Sequence, residues 1–254
     1  MKKFAVLLGS LVLAAAFVTA PAAIAASVDN TVKIATKQQA VPESQNIIYA
    51  DRVIQLVNKE RRSRGLQEYK MVPKLTKCAV IRVKETTTYW SHQRPNGTSG
   101  MDVIDEVGLS WTGKAENIAV GQNTPESVVN SWMNSAGHRS NILSSDYKYI
   151  GVGCVYYNGQ YYWVQEFLAS RENFDYAFLP EKHGEVNDSG VVDAVDASIV
   201  LAEYASVSAG KGSILSRSQR ARAEVNGDDI VDAADASMIL NIYSFNSSKY
   251  YKKL

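Results

Sequence analysis

Apolar residues recur at helical spacing in the first structured part of the chain. One helical face is formed by Ile47, Ala50, Val53, Ile54 and Val57. Gly65 provides an end for this helix, and Pro73 opens a second one, because proline suits the first helical turn. A short helix is predicted over 101–107. The capping hydroxyl of Thr124 predicts the start of a further helix, which ends near Gly137.

The pattern then changes from helical to strand-like. Segments 149–157 and 160–168 are rich in Val, Ile, Tyr, Trp and Phe, and Asn158-Gly159 between them is typical of a tight hairpin turn. Helices followed by an antiparallel sheet predict one domain over 46–172 in which helices pack on a sheet, an α+β fold.

The C-terminal part of the chain contains one pattern twice. Residues 185–196 (EVNDSGVVDAVD) recur as residues 224–235 (EVNGDDIVDAAD), and both copies continue into Ala-Ser, two apolar residues and Leu. Each twelve-residue block has oxygen-bearing side chains at positions 1, 3, 5, 9 and 12, which is how a loop wraps a hard cation such as calcium. A helix is predicted to start at Asp196 and another at Asp235.

The duplication therefore predicts two structural calcium ions, one in each loop. The ligands of the first loop are Glu185, Asn187, Ser189, the carbonyl of Val191, Asp193 and Asp196. The ligands of the second loop are Glu224, Asn226, Asp228, the carbonyl of Ile230, Asp232 and Asp235. Ser189 removes one negative charge from the first loop, so we expect the first site to bind more weakly.

The N-terminus predicts secretion. Residues 1–25 have a positive start, an apolar core and a small-x-small cleavage site, as a signal peptide does. An uncleaved membrane anchor is the alternative, although the apolar core is short for a span. Residues 26–45 and 173–182 are predicted linkers, and 247–254 a loose tail.

Charge and cysteine content narrow the function classes. The formal net charge of +1 gives no strong field that would attract nucleic acid. No segment after the signal peptide is long and apolar enough to cross a bilayer. Cys78 and Cys154 could form one disulfide in a secreted protein, or each could be a small buried apolar residue; the sequence leaves both open.

Three polar clusters in the first domain carry a family resemblance. They are residues 89–97 (YWSHQRPNG), 113–119 (GKAENIA) and 132–143 (WMNSAGHRSNIL). With the later YIGVG at 149–153, they resemble the CAP superfamily, also called SCP-like or PR-1-like, over 46–170. The resemblance implies a three-layer α-β-α sandwich with a cleft lined by two His and two acidic residues.

By this resemblance, His92 and His138 are the two histidines and Glu116 is the first acid. The second acid would lie in the helix before His138, where this chain has Asn134-Ser135, so the tetrad is incomplete. Two imidazoles and a carboxylate suit a zinc ion with an open position. Alternatively, Glu116 orients a histidine that acts as a general base.

Ser135 is a nucleophile candidate only through its spacing to His138. The cleft residues could equally form a hydrogen-bonded network that holds loops over the sheet. Binding of a lipid, peptide or cell-wall ligand in the cleft is the preferred interpretation. Hydrolysis of a peptide, polysaccharide or ester is the alternative.

The two loop-then-helix units resemble a type I dockerin over 183–246, a small all-α calcium-binding domain. Dockerins bind a cohesin module of a scaffold protein, as in the cellulosomes that degrade polysaccharides. This chain departs from the family pattern with Glu at position 1 of both loops, with Ser189 at position 5 of the first, and with Asp229 at position 6 of the second.

The family recognises its partner through loop positions 10 and 11. Here these positions are Ala194, Val195, Ala233 and Ala234. All four are small or apolar, so the resemblance implies a hydrophobic contact. The chain is thus predicted to be an extracellular component, attached to a cell-surface cellulosome-type scaffold, that carries a CAP domain.

Overall fold

The computed structural model describes residues 43–248. The predicted signal peptide, most of the first predicted linker and residues 249–254 lie outside the described residues. The helices of the first domain are α1 (Glu43–Arg62), α2 (Pro73–Thr86), α3 (Val103–Glu106), α4 (Pro125–Met133) and α5 (Ala136–Leu143). Its strands are β1 (Lys70–Met71), β2 (Gly113–Val120), β3 (Tyr149–Tyr157) and β4 (Gln160–Ala169). The C-terminal repeat domain has α6 (Ala194–Ser208), α7 (Arg217–Ala223) and α8 (Ala233–Ser247).

The four strands form one mixed sheet in the order β1-β3-β4-β2. β3 and β4 are the two arms of the predicted hairpin, and Asn158 and Gly159 at its tip have positive φ values of 47° and 84°. β2 pairs antiparallel with β4, whereas the short β1 pairs parallel with β3. β2 is therefore an edge strand of the sheet.

Helices cover both faces of the sheet, which confirms the predicted α-β-α sandwich. Neighbouring residues of a strand point to opposite faces. Glu116 bonds to Arg82 of α2, while the next residue, Asn117, bonds to the backbone of His138 in α5. α2 approaches its face very closely, since a Cβ on Gly151 would overlap the backbone of α2. On the other face α1 and α4 close the main core around Trp132 and Trp163.

The first domain differs from the prediction in two places. The prediction that this helix ends near Gly137 is wrong. α4 ends at Met133, and Gly137 lies in a separate helix, α5. Ser135 has extended dihedrals (φ −103°, ψ 121°) that end one helix and begin the other. β2 was not predicted, because its residues stood out as a polar motif rather than as a strand.

The repeat domain is built from α6 and α8, which pack against each other around Val186, Val200, Val225 and Ile239. Its helices start at Ala194 and Ala233, two residues before the predicted starts. The side chains of Asp193 and Asp232 cap them by accepting hydrogen bonds from Val195 and Ala234 backbone nitrogens.

Residues 173–182, predicted as a linker, pack on the first domain. Phe174 and Phe178 are buried in its core, and Phe178 exchanges backbone hydrogen bonds of 2.7 and 3.2 Å with Met71. Cys78 and Cys154 are both buried free thiols, so these residues are not joined. Within residues 43–248, no helix has the length and apolar content that a membrane span requires.

Candidate functional site

The centre of the first domain's candidate site is the carboxylate of Glu116 on the edge strand β2. His92 Nδ1 lies 2.8 Å from its Oε1, and Arg82 Nε donates to its Oε2 at 2.7 Å. The side chains of Glu116 and Arg82 are 2% and 0% exposed, whereas that of His92 is 61% exposed. A solvent-accessible imidazole therefore sits above a buried ion pair.

This arrangement sets the charges of the three groups. Burial alone would raise the pKa of Glu116, but the hydrogen bonds from His92 and Arg82 outweigh it and lower that pKa. The bond to Glu116 raises the pKa of His92. Glu116 is thus a carboxylate at neutral pH, with one permanent and one titratable cationic partner.

A second ring of charges fixes Arg82. Its Nη1 donates to Glu85 Oε2 at 2.7 Å, and its Nη2 donates to the carbonyl of Ser91 at 3.0 Å. Arg94 donates to the other oxygen of Glu85 at 2.7 Å and also pairs with Glu106. The guanidinium of Arg82 is therefore held from three sides, which fixes Glu116 in turn.

His138 reaches the site from the opposite face of β2. Its backbone carbonyl accepts a hydrogen bond of 3.1 Å from Asn117, which also bonds to Gln165 and Asn141 and anchors α5 to the sheet. Burial, and then the charge of nearby His92, lower the pKa of His138. His138 is therefore the neutral histidine of the pair.

The structure brings some of the candidate cleft residues together and leaves others apart. Between residues 43 and 248, no three His, Cys, Asp or Glu side chains are placed to hold one metal ion, so His92, Glu116 and His138 do not form a three-ligand zinc site. Ser135 is the N-cap of α5, and no hydrogen bond joins its side chain to His138 in the described residues. Only His92 and Glu116 are brought into direct contact.

Glu166 is a further acid that the sequence analysis missed. It lies directly opposite Glu116 in the β2–β4 pairing and is fully buried. Both of its carboxyl oxygens lack a hydrogen-bond partner among the described residues. Burial and the adjacent Glu116 raise the pKa of Glu166 well above its usual range, so it is neutral at pH 7. Glu166 lies between Val164 and Leu168 on the same face of an alternating strand, so its burial could have been predicted from the sequence.

The two predicted calcium loops have the same internal geometry. In the first, Asp196 Oδ1 accepts from the backbone nitrogens of Val186 and Asn187, and Oδ2 accepts from that of Asp193. Asp235 makes the equivalent three bonds in the second loop. The position-12 carboxylates thus hold the loop backbone, and the position-9 carboxylates cap the following helices.

The position-1 residues provide the test of whether the loops fit calcium. Glu185 and Glu224 are buried, and one carboxyl oxygen of each has no hydrogen-bond partner among the described residues. A buried carboxylate oxygen without a partner is costly, and a hard cation ringed by oxygen ligands satisfies it. The type of donor therefore suits calcium, although the described residues gather no three His, Cys, Asp or Glu side chains around one point in either loop. With the position-3 and position-5 side chains and the position-7 carbonyl, these residues would hold the ion.

The loops differ in the charges around position 1. Glu185 Oε2 accepts from Lys182 at 2.8 Å and from Arg222 at 3.4 Å. Glu224 has no such ion pair among the described residues, and burial with the charge of Asp235 raises its pKa to about 7. Burial also raises the pKa of Asp235 to about 6. Among the described residues, Glu224 therefore lacks the lysine and arginine partners that Glu185 has in the first loop.

The predicted partner-binding residues all lie at the surface. Ala194, Val195, Ala233 and Ala234 are exposed in the first turns of α6 and α8. Equivalent exposed apolar residues continue along both helices: Leu201 and Tyr204 on α6, and Leu240 and Tyr243 on α8. The duplication thus presents the same apolar surface twice.

Two protein-family models match separate parts of the chain. The model of the cysteine-rich secretory protein (CAP) family matches residues 54–167, and the model of the dockerin type I domain matches residues 183–242. The chain therefore contains a CAP domain followed by a type I dockerin domain.

Two relatives from Bacillus subtilis (strain 168) are similar to the first part. An uncharacterized protein, YkwD, is 39% identical over 122 residues, which are 47% of either chain. An uncharacterized membrane protein, YlbC, is 34% identical over 80 residues, which are 32% of this chain and 22% of that one. The present chain thus spans less than half the length of these relatives.

Two solved structures show a similar partial likeness. An extracellular protein containing an SCP domain from Bacillus anthracis has a TM-score of 0.45 at 24% identity, over 48% of this chain and 40% of that one. A cysteine-rich secretory protein from Staphylococcus aureus has a TM-score of 0.44 at 26% identity, over 51% and 41%.

Proposed function

We propose that this protein is a secreted, scaffold-docked component. Its dockerin binds a cohesin module on a cell-surface, cellulosome-type scaffold in a calcium-dependent way, and its CAP domain is the cargo. Calcium in both loops holds the starts of α6 and α8 in place, and the exposed apolar residues beside the loops contact the cohesin.

The duplicated apolar surface is the observation that carries this proposal. Val195 and Tyr204 are 53% and 44% exposed, and Tyr243 is 40% exposed. Exposed apolar residues that cluster on one element are typical of a protein interface. Because the same surface occurs on α6 and α8, the dockerin can present either helix to the cohesin.

The test is a pull-down of the full chain with cohesin modules from the same organism, in calcium and in EGTA. Binding in calcium that disappears in EGTA supports the proposal. Equal binding in both conditions, or no binding to any cohesin, overturns it.

Charged substitutions distinguish the contributions of the α6 and α8 surfaces to cohesin binding. Ala194→Arg and Ala233→Arg should each leave binding through the other helix, whereas the double variant should lose it. Ser218→Arg on the exposed side of α7 is the matched control, because it adds the same charge away from both surfaces. Loss of binding in the Ser218 variant would mean that charge alone, not the surface, is responsible.

For the CAP domain we propose ligand binding in the cleft, with a lipid, a peptide or a cell-wall fragment as ligand. The exposed His92 above the buried Glu116–Arg82 pair is a fixed polar group at the edge of the sheet, suited to orient a ligand. Mass spectrometry of ligands that co-purify with the full chain, compared with the His92→Ala variant, tests this. An identical ligand profile in both would contradict it.

A hydrolase that uses His92, Glu116 and His138, with or without zinc, is the alternative. The lowered pKa of His138 favours it, because a neutral imidazole can act as a general base. The double variant His92→Ala, His138→Ala should then lose activity on peptide, polysaccharide or ester substrates. A folded double variant with unchanged activity removes this alternative.

A further inference from the structure

We propose that the CAP domain forms part of the support of the second calcium loop, so that calcium binding in this loop also stabilises the CAP domain. This inference rests on the proposed binding of calcium. It makes the cargo and the connector one cooperative unit rather than two independently folding parts.

His183 is the first contact between the two domains. It precedes the first loop and is buried. Its Nδ1 lies 2.8 Å from Asp51 of α1, and its Nε2 lies 3.3 Å from the backbone carbonyl of Glu224, the first residue of the second loop. The ring thus bridges a CAP helix and the start of the second loop.

An apolar contact lies beside this bridge. Ile48 belongs to α1 of the CAP domain, yet it is buried in the cluster that forms the dockerin core, which contains Val225 of the second loop and Val186 of the first. Val225 directly follows Glu224 in the second loop. Displacement of the loop would therefore expose a side chain of the CAP domain.

The third contact comes from α2. Lys77 Nζ donates to the carbonyl of Asp228 at 3.2 Å, and it lies 3.9 Å from the carboxylate of Asp229. Gly227 has a φ of +79°, and a Cβ at this position would come within 3.1 Å of Val80. The backbone of the second loop is thus packed against α2 of the CAP domain.

The first loop provides an internal contrast. Its hydrogen bonds and ion pairs in the described residues all lie within residues 182–222, including those to Lys182, Arg222 and Gln219. A Cβ on Gly190 in this loop would meet nothing within 4 Å. The two loops therefore share their sequence pattern and the apolar cluster around Ile48, but only the second loop has polar contacts with the CAP domain among the described residues.

Thermodynamic linkage between calcium binding and folding makes the difference between the two loops measurable. A ligand that binds only the folded loop stabilises everything that folds with that loop, and the coupling is equal in both directions. Tryptophan fluorescence reports the CAP domain alone, because Trp90, Trp111, Trp132 and Trp163 all lie within it and the dockerin has none.

The experiment follows thermal unfolding of the full chain by tryptophan fluorescence, with calcium chloride or EGTA. Asp196→Ala and Asp235→Ala are a matched pair, because each removes the same carboxylate and the same loop hydrogen bonds. Calcium should raise the unfolding midpoint of the wild type and of the Asp196 variant, but not of the Asp235 variant. An equal calcium shift in both variants, or no shift in a wild type that binds calcium, overturns the inference.

A second pair of variants tests the reverse direction. Ile48→Ala should weaken one calcium site by about fivefold or more in calorimetric titration with calcium chloride. Leu56→Ala, on the same helix but packed on the CAP core, should leave both affinities unchanged. Unchanged affinity in the Ile48 variant contradicts the inference alone. A wild type that binds no calcium removes both the inference and the calcium dependence of the proposed docking.

Discussion

Glu116 in the CAP cleft and Glu224 in the second dockerin loop are both buried carboxylates, yet their surroundings act in opposite directions. Arg82 and His92 lower the pKa of Glu116 in spite of its burial. Burial and then the neighbouring Asp235 raise the pKa of Glu224 to about 7, although nearby His183 and two backbone donors lower it. The cleft thus provides cations for its carboxylate, whereas the loop gives the Glu224 carboxylate no ion-pair partner among the described residues.

Glu185 in the first loop lies between these extremes, because Lys182 and Arg222 both contact it. The three sites show that burial of an acid does not by itself identify a metal ligand. What differs among the three carboxylates is the number of cationic side chains that the protein places beside each of them.

The strongest test of the cleft is Arg82→Met, which removes the permanent cation from Glu116. We expect the free energy of unfolding to fall by about 3–5 kcal/mol, because one partner of a buried pair is left uncompensated. Denaturant titration followed by tryptophan fluorescence measures it. Lys84→Met, an exposed position on the same helix, should change it by less than about 0.5 kcal/mol. Equal effects would show that the pair does not organise the cleft.

Glu166 tests the opposite case, a buried acid without a cationic ion-pair partner among the described residues. Glu166→Met should raise the free energy of unfolding by about 1–3 kcal/mol, since two unsatisfied oxygen atoms are replaced by an apolar group of similar size. Glu166→Gln keeps a buried polar group and should give little gain. If the Met variant is less stable than the wild type, Glu166 has a stabilising role that its isolated position does not explain.

The two dockerin loops should respond with opposite signs to loss of the position-1 charge in EGTA. Glu224→Gln should stabilise the dockerin by about 1 kcal/mol, because it removes an unpaired charge next to Asp235. Glu185→Gln should destabilise it by about 1–2 kcal/mol, because Lys182 loses its carboxylate partner and Arg222 keeps only Asp188. Far-UV circular dichroism during thermal unfolding compares them. Equal signs would mean that the loops are electrostatically alike.

Much of the architecture could be predicted from local sequence patterns. The alternation in 149–168 and the Asn158-Gly159 turn gave β3, β4 and their hairpin nearly to the residue. The duplicated loops predicted the repeat domain in the same way. β2 was missed because Glu116 and Asn117 place polar side chains on both faces of the strand. Both residues are buried because they bond to side chains from other elements, Arg82 and Asn141.

The candidate site was less predictable than the fold. Family motifs gave His92, Glu116 and His138, but not the cation that sets the charge of Glu116, because Arg82 comes from a helix 34 residues earlier. Ion pairs between distant elements leave no local pattern. The same holds for the contact of His183 with Asp51, which are separated by 132 residues.

The smallest expected effect concerns the pH dependence of the His92–Glu116 pair. The pKa of Glu116 is lowered, so its contribution is complete above the unfolded carboxyl pKa of about 4.3 and is lost as the pH falls through the folded pKa. The pKa of His92 is raised, so its contribution is complete below about pH 6.5 and is lost as the pH rises through the folded value. The pair therefore stabilises most between these limits.

His92→Gln should accordingly reduce the stability of the CAP domain near pH 5.5 and leave it unchanged at high pH. We expect less than about 1 kcal/mol, because the imidazole is largely exposed and solvent screens the pair. His138→Gln should change the stability at low pH instead. Because the pKa of His138 is lowered, the wild type loses stability as the pH falls below about 6.5. The variant cannot be protonated at this position and should lose less stability. Tryptophan-monitored unfolding in saturating calcium across pH measures both variants. If the free energies of unfolding of the two variants depend on pH in the same way, His92 and His138 do not differ in charge. That result would contradict the difference between them that we infer from their surroundings.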